Sequence, residues 1–217
     1  SPHELRVESR DALPRLAAWL AEAHGVQFYF GEEALERTAT GLRTAQRTLA
    51  APRVVVCPGT GLQGFARPWL AAHPLRLCRL QMLRWQPARP FHQSAALMTD
   101  LSLVRYGGFA ALPQAQALRQ QLQDEVGPLL ADGIHLIAVQ SADGSLVVGD
   151  SHHDEAAEAP FASEAVDAQI VQLLQQHLAA PEGRVVGRWL GHYPRGLPTD
   201  CLVIAPEPGT RVALVTG

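Results

Sequence analysis

The stretch Gly133–His153, GIHLIAVQSADGSLVVGDSHH, constrains this chain most. Two runs of β-branched and apolar residues, Ile134–Val139 and Leu146–Val148, flank Ser141-Ala142-Asp143-Gly144. The glycine stands where a tight turn needs positive φ, so the pattern predicts a β-hairpin. Turn length leaves the register open. A three-residue turn pairs Ser141 with Ser145 and sets His135 opposite Ser151; a four-residue turn sets His135 opposite Asp150. The second arrangement predicts a carboxylate–imidazole pair with a raised histidine pKa, suited to holding an anion. In both, the second strand runs out into Gly149-Asp150-Ser151-His152-His153. An apolar strand that stops in polar, titratable groups is a place to build a site, because the sheet fixes the groups and the loop exposes them.

The rest of the composition narrows the chemistry. The chain has 217 residues, 47% of them hydrophobic, enough for one large domain or two small ones. A formal net charge of -3 provides no general attraction for nucleic acid or anionic membranes, and no apolar run is long enough to span a bilayer. Every one of the 18 basic residues is arginine, which excludes a Schiff-base or P-loop lysine within this chain. Cys57, Cys78 and Cys201 are far apart and odd in number, so free thiols in a reducing, cytoplasmic setting are expected.

Taken in order, Glu8–His24 has Leu13, Leu16, Ala17, Leu20 and Ala23 at helical spacing, with Gly25 as its stop. Val26–Phe30 reads as a strand and Leu35–Ala50 as small antiparallel strands. Arg53–Cys57 is a continuous apolar run, the pattern of a strand buried on both faces, with Cys57 a core residue at its end. Gly59-Thr60-Gly61-Leu62-Gln63-Gly64 matches G-x-G-x-x-G, but no Asp or Glu follows until Asp100, where a dinucleotide fingerprint needs an acid about 20 residues on. A glycine-rich loop that lets a ligand approach its backbone is the better reading. Leu75–Trp85 and Leu101–Tyr106 read as strands, Gln114–Leu130 and Ser163–Leu178 as helices, the latter with His177 on its inner side. Val185–Leu190, Cys201–Ile204 and Arg211–Val215 complete the set as strands. The result is an α/β (α+β) sheet protein.

The order of these elements resembles the D-amino-acid oxidase family, to which glycine oxidase and sarcosine oxidase belong. GSLVVGDS is similar to that family's G-x-L-x-x-G strand, and Trp189-Leu190-Gly191 to its W-x-G strand. LQMLRW, YGGFAALP, GIHLIAVQSADGSLVVGDSHH and RWLGHY together resemble a bacterial, phosphonate-catabolism-associated subgroup of flavin-dependent amine oxidases. The resemblance implies FAD as cofactor and a small-molecule amine, an aminophosphonate among the candidates, as substrate. It implies a two-layer arrangement: part of an FAD-binding domain over 1–72, a substrate domain with a large mixed or antiparallel sheet over 73–196, and return strands over 197–217. The family's own G-x-G-x-x-G and its closing glycine-rich segment have no counterpart here, so the chain reads as an internal piece whose flavin-facing surface near Gly59 is open to self-association.

Site residues follow from the same likeness. His135 and His152 match positions that face the substrate. Tyr193 matches the position of the family's carboxylate-binding arginine, with Arg195 two residues later. The backbones of Ala34, Cys57 and Gly59 match positions that touch the flavin nucleotide. Gln81, Arg84 and Tyr106 are weaker candidates for an anion site, and the four tryptophans are expected in the core or at domain contacts. Two other readings stand beside this one: a non-catalytic module for small anions, and a metal-dependent hydrolase using His152 and His153. Adjacent histidines on a strand point to opposite faces, which argues against the metal.

Overall fold

The computed structural model describes residues 6–155, 160–178, 182–197 and 199–217. The chain forms two compact units, Ser1–Trp69 with Val203–Ala213 and Leu70–Leu202 with Leu214–Gly217.

In the first unit, helix α1 (Ser9–His24) starts after Glu8 and ends at Gly25, whose φ of 66° provides the left-handed cap. No α1 residue is buried; Leu13 and Trp19 are 64% and 53% exposed. Residues 26–30 pair with no strand, contrary to the sequence expectation. Phe28 and Phe30 instead stack on each other at 5.4 Å. Strands β1 (Ala34–Thr38), β2 (Gly41–Thr44) and β3 (Thr48–Ala50) form the expected antiparallel meander. Strand β4 (Val54–Val56) leads through the glycine-rich turns to the short helix α2 (Arg67–Leu70). The expectation of a strand buried on both faces fails: Val55 is 65% exposed, and Cys57 is exposed rather than in the core. The apolar run is real, but nothing among the described residues covers its outer face.

The second unit is organised by β5 (Arg76–Pro87), twelve residues long. From Leu80 onward its burial alternates, with Gln81, Leu83 and Trp85 buried and Met82, Arg84 and Gln86 half-buried, so one face enters the core and the other does not. After β6 (Leu97–Met98), the predicted strand Leu101–Tyr106 is instead a 3₁₀ helix, Asp100–Val104, followed by α3 (Gly107–Ala110). Leu101 and Val104, three apart, both reach the core, as one turn of such a helix allows. Helix α4 (Pro113–Ala131) bends at Val126, just before Pro128. Strands β7 (Ile137–Gln140) and β8 (Leu146–Gly149) make the hairpin. Ser141 N–H donates to Ser145 O at 2.7 Å and Gly144 has φ 82°, so the turn is the three-residue one. Arg84 clamps it by donating to the Ser145 hydroxyl at 2.7 Å and pairing with Asp143 at 3.3 Å, which leaves that arginine a structural task.

Strand β9 (His153–Glu155), helix α5 (Glu164–His177) and strand β10 (Gly183–Arg195) complete this unit. The six-stranded sheet has the order β10-β5-β8-β7-β6, and β9 also pairs with β5. Thus β8 covers Met82–Trp85 and β9 covers Leu77–Arg79, end to end along one side of β5. Only Asp150-Ser151-His152 interrupts them. Leu83, Trp85, Leu136, Leu146, Val148, Ile170 and Leu174 form the core beneath, from the sheet and α5. Each is worth about 1.5–3 kcal/mol in surface removed from water. His177 is exposed, not inward, because the buried stripe of α5 ends at Leu174 and resumes at Leu178. Of the tryptophans, Trp85 alone is in the core; Trp19 and Trp189 are exposed. Strands β11 (Cys201–Ile204) and β12 (Thr210–Val215) return the chain, and β12 runs parallel to β4.

Candidate functional site

The interruption between β8 and β9 positions the polar groups that the sequence singles out. Beyond Ile137 and Gly149 the ladder slips by one residue. His135 and Asp150 then exchange both backbone hydrogen bonds, each at 3.2 Å. The two register alternatives therefore each hold in part: the turn has three residues, yet His135 lies opposite Asp150. Ser151, fully buried, fills the gap by accepting from the Gln81 backbone N–H at 3.2 Å.

His135 and His152 stack, centroids 4.5 Å apart and planes within 16°. The His152 Nδ1 is 2.9 Å from the Gly133 carbonyl oxygen. A carbonyl only accepts, so Nδ1 carries the proton and Nε2 is bare in the neutral ring. That Nε2 faces Asp150 Oδ2 at 3.7 Å, and His135 Nε2 faces Asp150 Oδ1 at 3.7 Å. Among the described residues neither His135 Nε2 nor Asp150 Oδ1 has a hydrogen-bond partner. The expected raised histidine pKa is overturned. Burial, with Arg105 adding repulsion, lowers His135 to about 4 and His152 to about 3. Burial raises Asp150 to about 7, against the opposing pull of Arg105. Desolvation exceeds attraction here because the side chains of His135 and His152 are only 2% and 5% exposed.

Asp150 and His152 open into a cavity of about 940 Å³ that Arg105, Tyr106, Tyr193 and Arg195 also line. Arg105 Nη2 donates to Tyr193 Oη at 2.6 Å, and Arg195 pairs with Asp154 at 3.1 Å. One wall thus carries guanidinium and phenol donors, and the other a buried carboxyl against two neutral imidazoles. Of the sequence-selected residues, His152, Tyr193 and Arg195 share this cavity. His135 stacks behind His152 and lines a neighbouring cavity of about 390 Å³. Tyr106 joins the main cavity. Gln81 does not: its amide binds Asp167 at 2.7 Å and the Ser163 backbone. Arg105 and Asp150 were not among the site residues expected. Arg105 was hidden by reading its segment as a strand, whereas Asp150 was visible as one register alternative.

His135, Asp150 and His152 bring three ligand atoms within 4.8 Å of one another, a possible hold for a metal ion. This is not the His152–His153 pair; His153 lies on β9, opposite Arg79. Arg105 repels positive charge on both rings, which works against a divalent cation.

In the first unit, Ala34 and Cys57 line a cleft of about 370 Å³ at the end of β4, with Leu42, Gly61, Gly64 and Phe65. Gly59, φ 55°, stands beside Pro58 of that lining with open space around its α-carbon. Small side chains and exposed backbone suit a planar ligand edge, and the C-terminal end of a parallel strand is where open sheets bind one.

The sequence matches the family described as FAD dependent oxidoreductase (DAO) over residues 1–217. The chain belongs to the DAO family. No curated protein sequence matches it. The glycine oxidase of Bacillus cereus ATCC 14579 has a similar fold, with a TM-score of 0.60 at 12% identity, covering 94% of this chain and 49% of that one. The glycine oxidase of Geobacillus kaustophilus gives 0.53 at 18% identity, covering 94% and 48%. The chain therefore spans about half the length of these DAO-type structures. FAD is the family's cofactor, and the Ala34–Cys57 cleft fits one part of such a dinucleotide, with no charged side chain but Glu33 in its lining.

Proposed function

We propose that this chain carries the substrate domain, and part of the flavin-binding domain, of an amine oxidase acting on a small amino acid or an aminophosphonate. The observation that carries this reading is the two-walled cavity: Arg105, Tyr193 and Arg195 on one side, neutral imidazoles and a buried carboxyl on the other. The donors suit a carboxylate or phosphonate, since guanidinium and phenol groups hold oxyanions with directional, charge-assisted bonds. The opposite wall, a buried carboxyl against two neutral imidazoles, holds the carbon next to the nitrogen in a fixed, poorly solvated place. FAD supplies the hydride acceptor when bound; Ala34, Cys57 and Gly59 would meet it through backbone and small side chains. His135 orients His152 by stacking, and the Gly133 carbonyl fixes its tautomer. A role in phosphonate catabolism in a bacterial cytoplasm belongs to the same reading, supported by the motif likeness and the three free cysteines. No described helix is long and apolar enough to cross a membrane.

The test is to purify the full-length protein and record flavin absorbance and amine-dependent hydrogen peroxide. A yellow protein that oxidises glycine or aminomethylphosphonate is the expected result. A colourless protein, or a flavoprotein inert to both, would refute it.

A further inference from the structure

The anion-facing wall leaves a question that the oxidase reading does not answer: what meets the other end of the substrate. An amino acid or aminophosphonate arrives as a zwitterion, with an ammonium group at neutral pH. Among the described residues three side-chain carboxyls line the cavity: Asp150, Asp154 and Asp200. Asp154 is held by Arg195 at 3.1 Å, and Asp200 is exposed at the surface. Asp150 differs from both. Its side chain is 15% exposed, one oxygen has no partner among the described residues, and both oxygens face bare or unpartnered imidazole nitrogens at 3.7 Å. The His152 Nε2 accepts but does not donate while that ring is neutral, so it and the two Asp150 oxygens make three acceptors that converge on one point. Three converging acceptors call for a donor with several protons, which a primary ammonium supplies and a hydroxyl or methyl group does not.

We propose that Asp150, with His135 and His152 behind it, is the ammonium-recognising end of the cavity and takes the amine's proton. This inference rests on the amine-oxidation reading above. The step is a proton transfer: the nitrogen–hydrogen bond of the ammonium breaks, its electron pair stays on nitrogen, and the Asp150 carboxylate gains the proton. The product is a neutral amine, the form from which hydride loss next to nitrogen is feasible. A base has to be ionised in free protein yet hold a proton readily, which a carboxyl poised near neutrality does. The groups facing Asp150 are Arg105 from the 3₁₀ helix segment, Tyr106 before α3, His135 and His152 from the hairpin, and Tyr193 and Arg195 from β10. Arg105 opposes the burial effect without cancelling it. The substrate is then oriented end to end: acid toward Arg105, Tyr193 and Arg195, amine toward Asp150.

The experiment uses full-length flavoprotein with its flavin held reduced, so that no turnover occurs. Affinity is measured calorimetrically at pH 8.5 for two matched pairs, glycine against acetate and aminomethylphosphonate against methylphosphonate. In the wild type, the amine-bearing member of at least one pair binds about tenfold tighter or more, the scale of one charge-assisted bond. In Asp150→Asn, which keeps the shape and is judged folded by an unchanged thermal midpoint, that preference falls to within about twofold. At pH 6.5, glycine binding releases protons to buffer in the wild type and none in Asp150→Asn. With oxidised flavin, the acid limb of the kcat/KM profile near pH 7 disappears in the variant. A preference that survives Asp150→Asn overturns the proposal and leaves the oxidase reading standing. If neither pair binds, the substrate reading falls and this proposal with it. Stoichiometric zinc bound by the wild type and lost in Asp150→Asn, with no amine preference, makes the trio a metal site and also overturns it.

Discussion

At the scale of single residues, the histidine pair and Asp150 oppose one another in their response to pH. His135 and His152 stay neutral in the fold well below the pH at which they protonate in the unfolded chain, so acid favours unfolding through them. Asp150 holds its proton to about pH 7 in the fold but only to the usual carboxylate range when unfolded, so acid favours folding through it. Near pH 5, unfolding takes up about two protons on the imidazoles and gives up about one from the carboxyl, a net uptake of about one. Stability of the second unit is therefore expected to fall by about 1 kcal/mol per pH unit between pH 6 and 4, and His152→Gln to flatten that slope to near zero. Urea titrations across this range check it; an equal slope in the variant contradicts the assignment. Gly133 sets a second expectation. Its φ is 59° and a β-carbon there meets the His152 backbone at 2.8 Å, so Gly133→Ala loses about 1–3 kcal/mol and displaces the carbonyl that fixes the His152 tautomer. On the function proposed above, Arg105→Met is expected to raise KM for the acid-bearing amine about tenfold or more, as loss of a charge-assisted contact would. At this scale the hairpin pattern sets His135 and His152 near one strand end, where their rings stack, but misjudges their charge. Strand alternation cannot reveal how little water reaches His135 and His152.

Among the elements, the hairpin, the three long helices α1, α4 and α5 and the β1–β3 meander are legible in periodicity and turn residues alone. The misreadings share one cause. Val26–Phe30 and Leu101–Tyr106 are apolar enough for strands, but a strand requires a partner ladder, and local pattern cannot supply one. As a strand residue Arg105 would share a face with Leu101 and Leu103; as the residue that caps the 3₁₀ helix it lines the cavity instead. Gln81 marks how elements are joined. Its buried amide binds Asp167 and the Ser163 N–H and C=O, tying β5 to the start of α5. Gln81→Leu is expected to cost about 2–4 kcal/mol, since it strands several buried polar groups at once. Thermal denaturation reads this directly, and a loss under about 0.5 kcal/mol would show that the tie is dispensable.

For the molecule as a whole, fold class and family were legible because long motifs such as GIHLIAVQSADGSLVVGDSHH combine many weak signals. Burial in the first unit was not. The apolar stripe of α1, Phe28, Phe30 and Val55 face solvent among the described residues, although their pattern is that of a covered surface. An apolar cleft of about 590 Å³ between α1 and the two phenylalanines follows from the same exposure. The 217-residue chain on its own is accordingly expected to self-associate at micromolar concentration and to bind a hydrophobic dye. Light scattering that reports only monomer at high concentration would refute this. The end-to-end placement of β8 and β9 along β5 has a separate consequence. Each is anchored on its own stretch of that strand, and the three residues bridging them are pinned as well, Asp150 by the His135 backbone and buried Ser151 by the Gln81 N–H. That makes the bridge a rivet: a residue added or removed there has to slide one ladder along β5 and carry His152 out of its place with it.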